Sequence, residues 1–197
     1  FQDYDVKKIA MDTYRYTLFK TAFEEKLDAR HLQLIINAPR EPLMIRADGR
    51  RLWRVLENLY NNVCKYAMEG SRVYVDLARV PGNAETGTAD RAVFTIKNIS
   101  ANPLNIRADE LTERFVRGDV ARTTEGSGLG LSIAKDLTEL QKGQFSLYID
   151  GDLFKAQVAF DVVKKTTEEA VEDAEIIEET DASEAAEKPK KDDELKK

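Results

Sequence analysis

The 197-residue sequence predicts an α+β fold, a two-layer sandwich in which a mostly antiparallel mixed sheet is covered on one face by helices. Three observations carry this prediction. Short apolar or alternating runs recur near 32–36, 43–45, 72–80, 92–99, 144–149 and 154–162, each of strand length. Longer segments at 4–27, 49–68 and from the glycine run 126–132 to about 141 carry apolar residues at spacings of three and four, the mark of an amphipathic helix. Asp150-Gly151-Asp152 joins the last two runs, and Asp-Gly is a strong hairpin signal. Hairpin-linked strands with helices inserted between them build layered α+β folds.

Taken in order, Val6, Ile9, Ala10, Thr13, Tyr16, Phe19, Phe23 and Leu27 predict one uninterrupted helix from Tyr4 to about Leu27. Leu32, Leu34 and Ile36 alternate as a strand does, and Pro39 and Pro42 separate that run from Leu43-Met44-Ile45. A second helix follows from about Gly49 to Met68, with Leu52, Val55, Leu56, Leu59, Val63 and Tyr66 on one side and Asp48 as its N-cap. Strands at 72–80 and 92–99 are joined by a loop rich in Pro, Gly and Asn over 81–90. A stretch without periodicity over 100–125 precedes a glycine-headed helix, and the final two strands close the domain.

The net charge is −6, but 13 of the 36 acidic and 7 of the 30 basic residues lie in 164–197, so the two signs balance before Lys164. Nothing in that balanced part suggests a basic nucleic-acid surface. The acidic tail holds too little apolar surface to offset the entropy of ordering it, and it is read as disordered spacer. Cys64 is the single cysteine, which excludes an internal disulfide, and its position on an apolar stripe suggests a small buried residue in a reducing compartment. No run of about 18 apolar residues is present to span a bilayer. The chain opens at Phe1 rather than Met, so a region upstream is expected.

Two features carry chemistry. Gly126-Ser127-Gly128-Leu129-Gly130-Leu131-Ser132 sets three glycines at the entrance of a helix. Glycine lets backbone N–H groups turn toward one point, and the helix dipole favours an anion there. On the 49–68 helix, Asn58, Asn62, Lys65 and Tyr66 fall at i, i+4, i+7 and i+8, on or beside one face. Amide oxygen suits magnesium or its ordered water, lysine supplies a point charge for phosphate, and tyrosine offers a flat surface to a ring. The competing reading is that the two asparagines cap or bridge loops while Tyr66 is core.

Read together, 51–67 (Arg-Leu-Trp-Arg-Val-Leu-Glu-Asn-Leu-Tyr-Asn-Asn-Val-Cys-Lys-Tyr-Ala), 113–119 (Glu-Arg-Phe-Val-Arg-Gly-Asp) and the glycine run 126–132 resemble the catalytic ATP-binding domain of bacterial two-component sensor histidine kinases. The resemblance covers roughly 32–162. Three regions are expected: an N-terminal helix over 1–30, either the end of a connecting or dimerisation region or an added helix; the ATP-binding domain that the resemblance implies, with a lid loop, over 31–163; and the disordered acidic tail over 164–197. The resemblance also implies ATP and Mg2+ as cofactors, with Asn62 as magnesium ligand, Asn58 and Lys65 near the phosphates, and Tyr66 near the nucleoside. Phe115 would pack the lid down and Arg117 would meet the terminal phosphate, while 126–131 would line the nucleotide. Related ATP-hydrolysing enzymes of this superfold carry a glutamate base where Asn58 stands. An amide cannot take a proton from water, so the site looks built to spare ATP.

Two departures from the family pattern stand out. The aspartate-glycine-glycine box expected after the second central strand is replaced by Lys97-Asn98-Ile99-Ser100-Ala101-Asn102-Pro103, where Asn98 could still offer its carbonyl to an adenine amine. His31, the only histidine, lacks an acidic neighbour and reads as a loop residue rather than a phosphoacceptor. The acceptor would then lie upstream of Phe1 or on another protein. The implied partners are an acceptor-histidine dimerisation domain and a response regulator. The implied parent is a homodimer anchored in the bacterial cell membrane with this domain in the cytoplasm. A non-catalytic nucleotide-binding or scaffold module of the same fold remains the alternative.

Overall fold

The computed structural model describes residues 6–11, 13–83, 85, 87–104, 108, 111 and 129–163, with side chains from Thr21 onward. These all fall within one unit, Phe1–Val163. The described elements run β1 (Val6–Met11), α1 (Thr13–Asp28), β2 (Gln33–Asn37), β3 (Leu43–Asp48), α2 (Gly49–Tyr66), β4 (Arg72–Val80), β5 (Arg91–Ile99), α3 (Gly130–Leu140), β6 (Gln144–Asp150) and β7 (Leu153–Asp161).

Five strands form the main sheet in the order β2-β4-β5-β7-β6. β2 lies parallel to β4, and every other neighbour is antiparallel. A mixed sheet with one parallel pair follows from the chain itself, because α2 carries it over the sheet between β2 and β4, whereas short turns join the hairpins. Gly151, at φ 56°, closes the β6–β7 turn in the left-handed region that glycine enters without a Cβ penalty.

One face of the sheet is buried by the helices. Leu52, Val55, Leu56, Leu59, Tyr60 and Val63 of α2 join Val73 and Val75 of β4, Phe94 and Ile96 of β5, and Ala156 and Val158 of β7 in a single apolar cluster. α3 adds Leu131 and Ala134, and α1 adds Leu27 and Phe23, whose ring stacks on Tyr60 at 5.3 Å. Each large side chain so buried contributes about 1.5–3 kcal/mol. On the opposite face, register puts Ile35, Tyr74, Lys97, Lys155 and Tyr148 in one row across all the strands. There Lys97 pairs with Asp76 at 2.8 Å, and Lys155 lies over the Tyr148 ring at 4.8 Å. Alternation between these two faces is what a half-buried sheet demands.

The structure corrects two expectations. The predicted helix starting at Tyr4 gives way to β1, which pairs antiparallel with β3 from Val6↔Asp48 to Met11↔Leu43. Without β1 the β3 backbone would present an unpaired row of N–H and C=O groups, and that long-range pairing overrides the local spacing. Cys64, expected to be buried, is half-buried and packs against the core only in part. Burial raises its thiol pKa above the ordinary value, while the nearby charge of Lys26 works the other way.

Candidate functional site

α2 is held at both ends. Asp48 caps its start by accepting from the Arg50 and Arg51 N–H groups at 2.9 and 3.2 Å. Arg30 closes its end, donating to the Ala67 carbonyl at 2.9 Å and to the Lys65 carbonyl at 3.5 Å, where a cation also complements the helix dipole. The Asp48 N–H donates to Gln141 Oε1 at 2.8 Å, which ties the start of α2 to the end of α3.

Between those ends the polar residues of α2 divide into two directions. Asn61 and Cys64 turn toward α1, where Lys26 donates to Asn61 Oδ1 at 2.9 Å. Asn58, Asn62, Lys65 and Tyr66, all half-buried, lie beside the apolar stripe around the other side. Asn58 Nδ2 donates to the Arg54 carbonyl at 2.8 Å, so its own helix fixes the amide and its oxygen faces α3. A Cβ placed on Gly130 would stand 3.4 Å from that oxygen. Lys65 Nζ lies over the Tyr66 ring at 5.1 Å, a cation–π contact that keeps the two together. The reading of the asparagines as loop bridges is set aside for Asn58, whose amide bonds to its own helix.

α3 begins against this face. Leu129 caps it without any side-chain hydrogen bond, and Ser132 Oγ donates to the Leu129 carbonyl at 2.9 Å. Leu129 and Gly130 are half-buried and Leu131 is buried. Phe115, Arg117, Gly126, Ser127 and Gly128 lie outside the described residues.

The end of β5 completes the arrangement. Ala67 bridges to Ser100, Met68 N–H donates to the Ile99 carbonyl at 2.8 Å, and Ala101 N–H donates to the Tyr66 carbonyl at 2.8 Å. These bonds fasten the C-terminus of α2, with Tyr66, to the strand end that carries Asn98. Asn98 is 3 % exposed and shares the helix-facing side of β5 with Phe94 and Ile96. Its Nδ2 donates to the Ile99 carbonyl at 3.1 Å, while its Oδ1 is buried with no partner among the described residues. A buried acceptor left unpaired is costly and is a place where a ligand donor fits. The sequence pointed to Asn98 but not to the Ile99 carbonyl, since a main-chain atom leaves no signal in residue type.

Two groups outside this arrangement bear on its chemistry. Glu57, the only carboxylate beside the asparagines on α2, is taken up by Arg54 at 2.7 Å. His31 sits exposed in a left-handed turn at φ 51°, 3.9 Å from Glu69, away from the α2–α3 contact. Among the described residues no cluster of three or more His, Cys, Asp or Glu could hold a metal ion. Among the described residues, what this face offers a divalent ion is amide oxygen, which suits magnesium held together with water and phosphates. No helix among the described residues is long and apolar enough to cross a membrane.

A family model described as "Histidine kinase-, DNA gyrase B-, and HSP90-like ATPase" matches residues 47–175. The chain is 29% identical over 114 residues to the sensor protein GtcS of Aneurinibacillus migulanus, covering 58% of this chain and 29% of that protein. It is 32% identical over 143 residues to the autoinducer 2 sensor kinase/phosphatase LuxQ of Vibrio cholerae, covering 68% and 16%. To the sensor histidine kinase WalK of Bacillus subtilis it is 29% identical over 121 residues, covering 60% and 19%. The chain thus spans less than a third of the length of each of these relatives. Among solved structures, the mycobacterial sensor histidine kinase MprB superposes with a TM-score of 0.61 at 17% identity, covering 81% of this chain and 99% of that one. Full-length ShkA in complex with AMPPNP gives a TM-score of 0.65 at 17% identity, covering 83% and 33%. These likenesses concern the fold.

Proposed function

The chain belongs to the histidine kinase-, DNA gyrase B- and HSP90-like ATPase family, and on that premise we propose that it is the catalytic ATP-binding domain of a sensor histidine kinase. It would present the γ-phosphate of magnesium-ATP to an acceptor histidine on a dimerisation domain, for relay to a response regulator. The observation that carries this reading is the close approach of α3 to α2. The first turn of α3 lies against the Asn58 amide without a Cβ between them, in line with a triphosphate held between helix N–H groups and the amide and lysine face of α2.

In this reading Asn62 supplies the hard oxygen for magnesium, and the ion would neutralise charge on the phosphates. Lys65 and Arg117 offset the charge on the transferring group, and Phe115 seats the lid. Phosphoryl transfer rests mainly on positioning and charge neutralisation. Asn58 cannot take a proton from water and Glu57 is engaged by Arg54, so α2 offers no free carboxylate base among the described residues, which favours transfer over hydrolysis. Tyr66 and Asn98 would take the nucleoside side, and Gly126, Ser127, Gly128, Leu129, Gly130 and Leu131 the phosphate side. The relatives, named as a sensor protein and a sensor histidine kinase and each more than three times as long as the matched part, support a longer parent; in this reading the domain would be the cytoplasmic part of a membrane-anchored homodimer.

A second reading, a nucleotide-binding module without transfer, draws on the amide at Asn98 where the family pattern has a carboxylate. Phosphotransfer separates the two. With magnesium-ATP and an acceptor-histidine dimerisation domain supplied in trans, the wild-type chain labels the acceptor, and Asn62→Ala or Asn62→Asp abolishes labelling while the circular dichroism spectrum is unchanged. Full labelling by either variant removes Asn62 as magnesium ligand. Binding of ATP without any labelling favours the second reading.

A further inference from the structure

We propose that β6 is a self-pairing edge, along which a second copy of this chain docks antiparallel about a two-fold axis through Leu147. The inference concerns the margin of the sheet and goes beyond the nucleotide reading above. β6 ends the main sheet, and among the described residues no strand pairs with its outer side. Asp150 and Leu153 flank the two-residue turn Gly151-Asp152, so they form the hydrogen-bonded pair that closes the hairpin. Alternation along an antiparallel ladder then turns the N–H and C=O groups of Tyr148, Ser146 and Gln144 toward β7, and those of Ile149, Leu147 and Phe145 outward. Edges of this kind are normally guarded by lysine, proline or an inward-pointing charge. From Gln144 to Ile149 the sequence has neither charge nor proline, and Tyr148 stands 50 % exposed on the outer face.

The symmetry of the segment about Leu147 names a second copy as the occupant, because an isologous interface must be complementary to itself. With Leu147 opposite its own copy, Phe145 meets Ile149, Ser146 meets Tyr148, Gln144 meets Asp150 and Lys142 meets Asp152 of the other chain. In this register the outward N–H and C=O groups oppose one another and each gains a partner. A slip by one residue would set them against groups already used by β7. Phe145 is buried and Leu147 and Ile149 are half-buried on the helix-facing side, so the same pairing carries one apolar row from copy to copy. Arg91 already donates to Gln144 Oε1, so what Gln144 offers Asp150 of the second copy is its Nε2 donor end. Charge fixes the direction. Lys142 before the strand and Asp150 and Asp152 at its end are all exposed, and the opposite signs meet only when the copies run antiparallel. β2, at the other margin of the sheet, spans five residues against seven and begins and ends on uncharged amides that choose no direction.

The test is sedimentation equilibrium of the full chain, with cross-linking to read the register. The wild-type chain is expected to associate into dimers as its concentration rises. Lys142→Glu sets like charges against Asp150 and Asp152 at both ends and should weaken the dimer by about tenfold, and Asp152→Lys added to it should restore the wild-type constant to within about threefold. Both positions are exposed, so the fold is kept, which circular dichroism checks. In a Cys64→Ser background, Ser146→Cys together with Tyr148→Cys should form an interchain disulfide on mild oxidation, because opposed positions without mutual hydrogen bonds lie about 4.5 Å apart between Cα atoms. Either cysteine substitution alone should run as a monomer on a denaturing, non-reducing gel, since identical positions are then offset diagonally by about 7–8 Å, beyond disulfide reach. A wild-type chain that stays monomeric overturns the inference. So does a dimer that Lys142→Glu leaves intact, that Asp152→Lys does not restore, that the paired cysteines fail to bridge, or that either single cysteine substitution also locks.

Discussion

Gly130 lets the first turn of α3 rest against the side chain of Asn58, where a Cβ would stand 3.4 Å from Oδ1, in van der Waals contact. Gly130→Ala therefore keeps the fold and, as a helical position gaining a better helix former, raises stability by up to about 1 kcal/mol. Gly130→Val forces the Asn58 amide aside and weakens magnesium-ATP binding by about tenfold, since one misdirected polar contact costs on the order of 1–2 kcal/mol. Thermal melts and calorimetry on the two variants check both statements.

The two ends of α2 are independent of one another. Asp48→Ala removes the cap on the Arg50 and Arg51 N–H groups and costs about 1 kcal/mol. Arg30→Ala strips the charged donor from the Ala67 carbonyl and costs about 1–3 kcal/mol. Sites this far apart add, so urea unfolding of the double variant should give the sum of the two losses to within about 0.5 kcal/mol.

Gly143 is required by packing rather than by its backbone conformation. A Cβ there would lie 2.7 Å from a ring atom of Phe160 and 2.8 Å from the methyl of Thr138. Thr138 is fully buried and also receives support from the Ala134 carbonyl at 2.7 Å, so it has no room to retreat. Gly143→Ala overpacks the junction of α3 and β6 and destabilises the protein by about 1–3 kcal/mol in chemical denaturation.

Tyr60 makes stability fall in alkali. Burial raises its hydroxyl pKa well above the ordinary value of 10.0, with the neighbouring Cys64 adding to the shift. Above pH 10 the unfolded chain therefore gives up the Tyr60 proton while the folded chain keeps it. The stability tied to this group is complete below that pH and is lost as pH rises, at up to about 1.4 kcal/mol per pH unit. Tyr60→Phe should flatten this part of the unfolding profile between pH 10 and 11, and an unchanged slope would show that other groups carry it.

How far the sequence could be read depends on how far each feature reaches along the chain. The Asp48 cap, the α2 stripe and the Asp150-Gly151-Asp152 turn each act within a few residues, so their residue types announce them. The 6–11 strand depends on a partner at 43–48, and nothing in its own spacing of Val6, Ile9 and Ala10 reveals that partner. Asn58, Asn62, Lys65 and Tyr66 were legible as one side of a helix because helical geometry is fixed at 3.6 residues per turn.

By itself the sequence determined the layered α+β class, the polar side of α2, the glycine at the head of α3 and the choice of an amide at Asn98. Tertiary structure alone decided that α3 meets α2 at Asn58, that β1 completes β3, and that the Ile99 carbonyl holds the Asn98 amide in one orientation. The physical reason is common to all three: each is a contact between segments remote in the chain, and at Ile99 the deciding atom belongs to the backbone, which is the same in every residue.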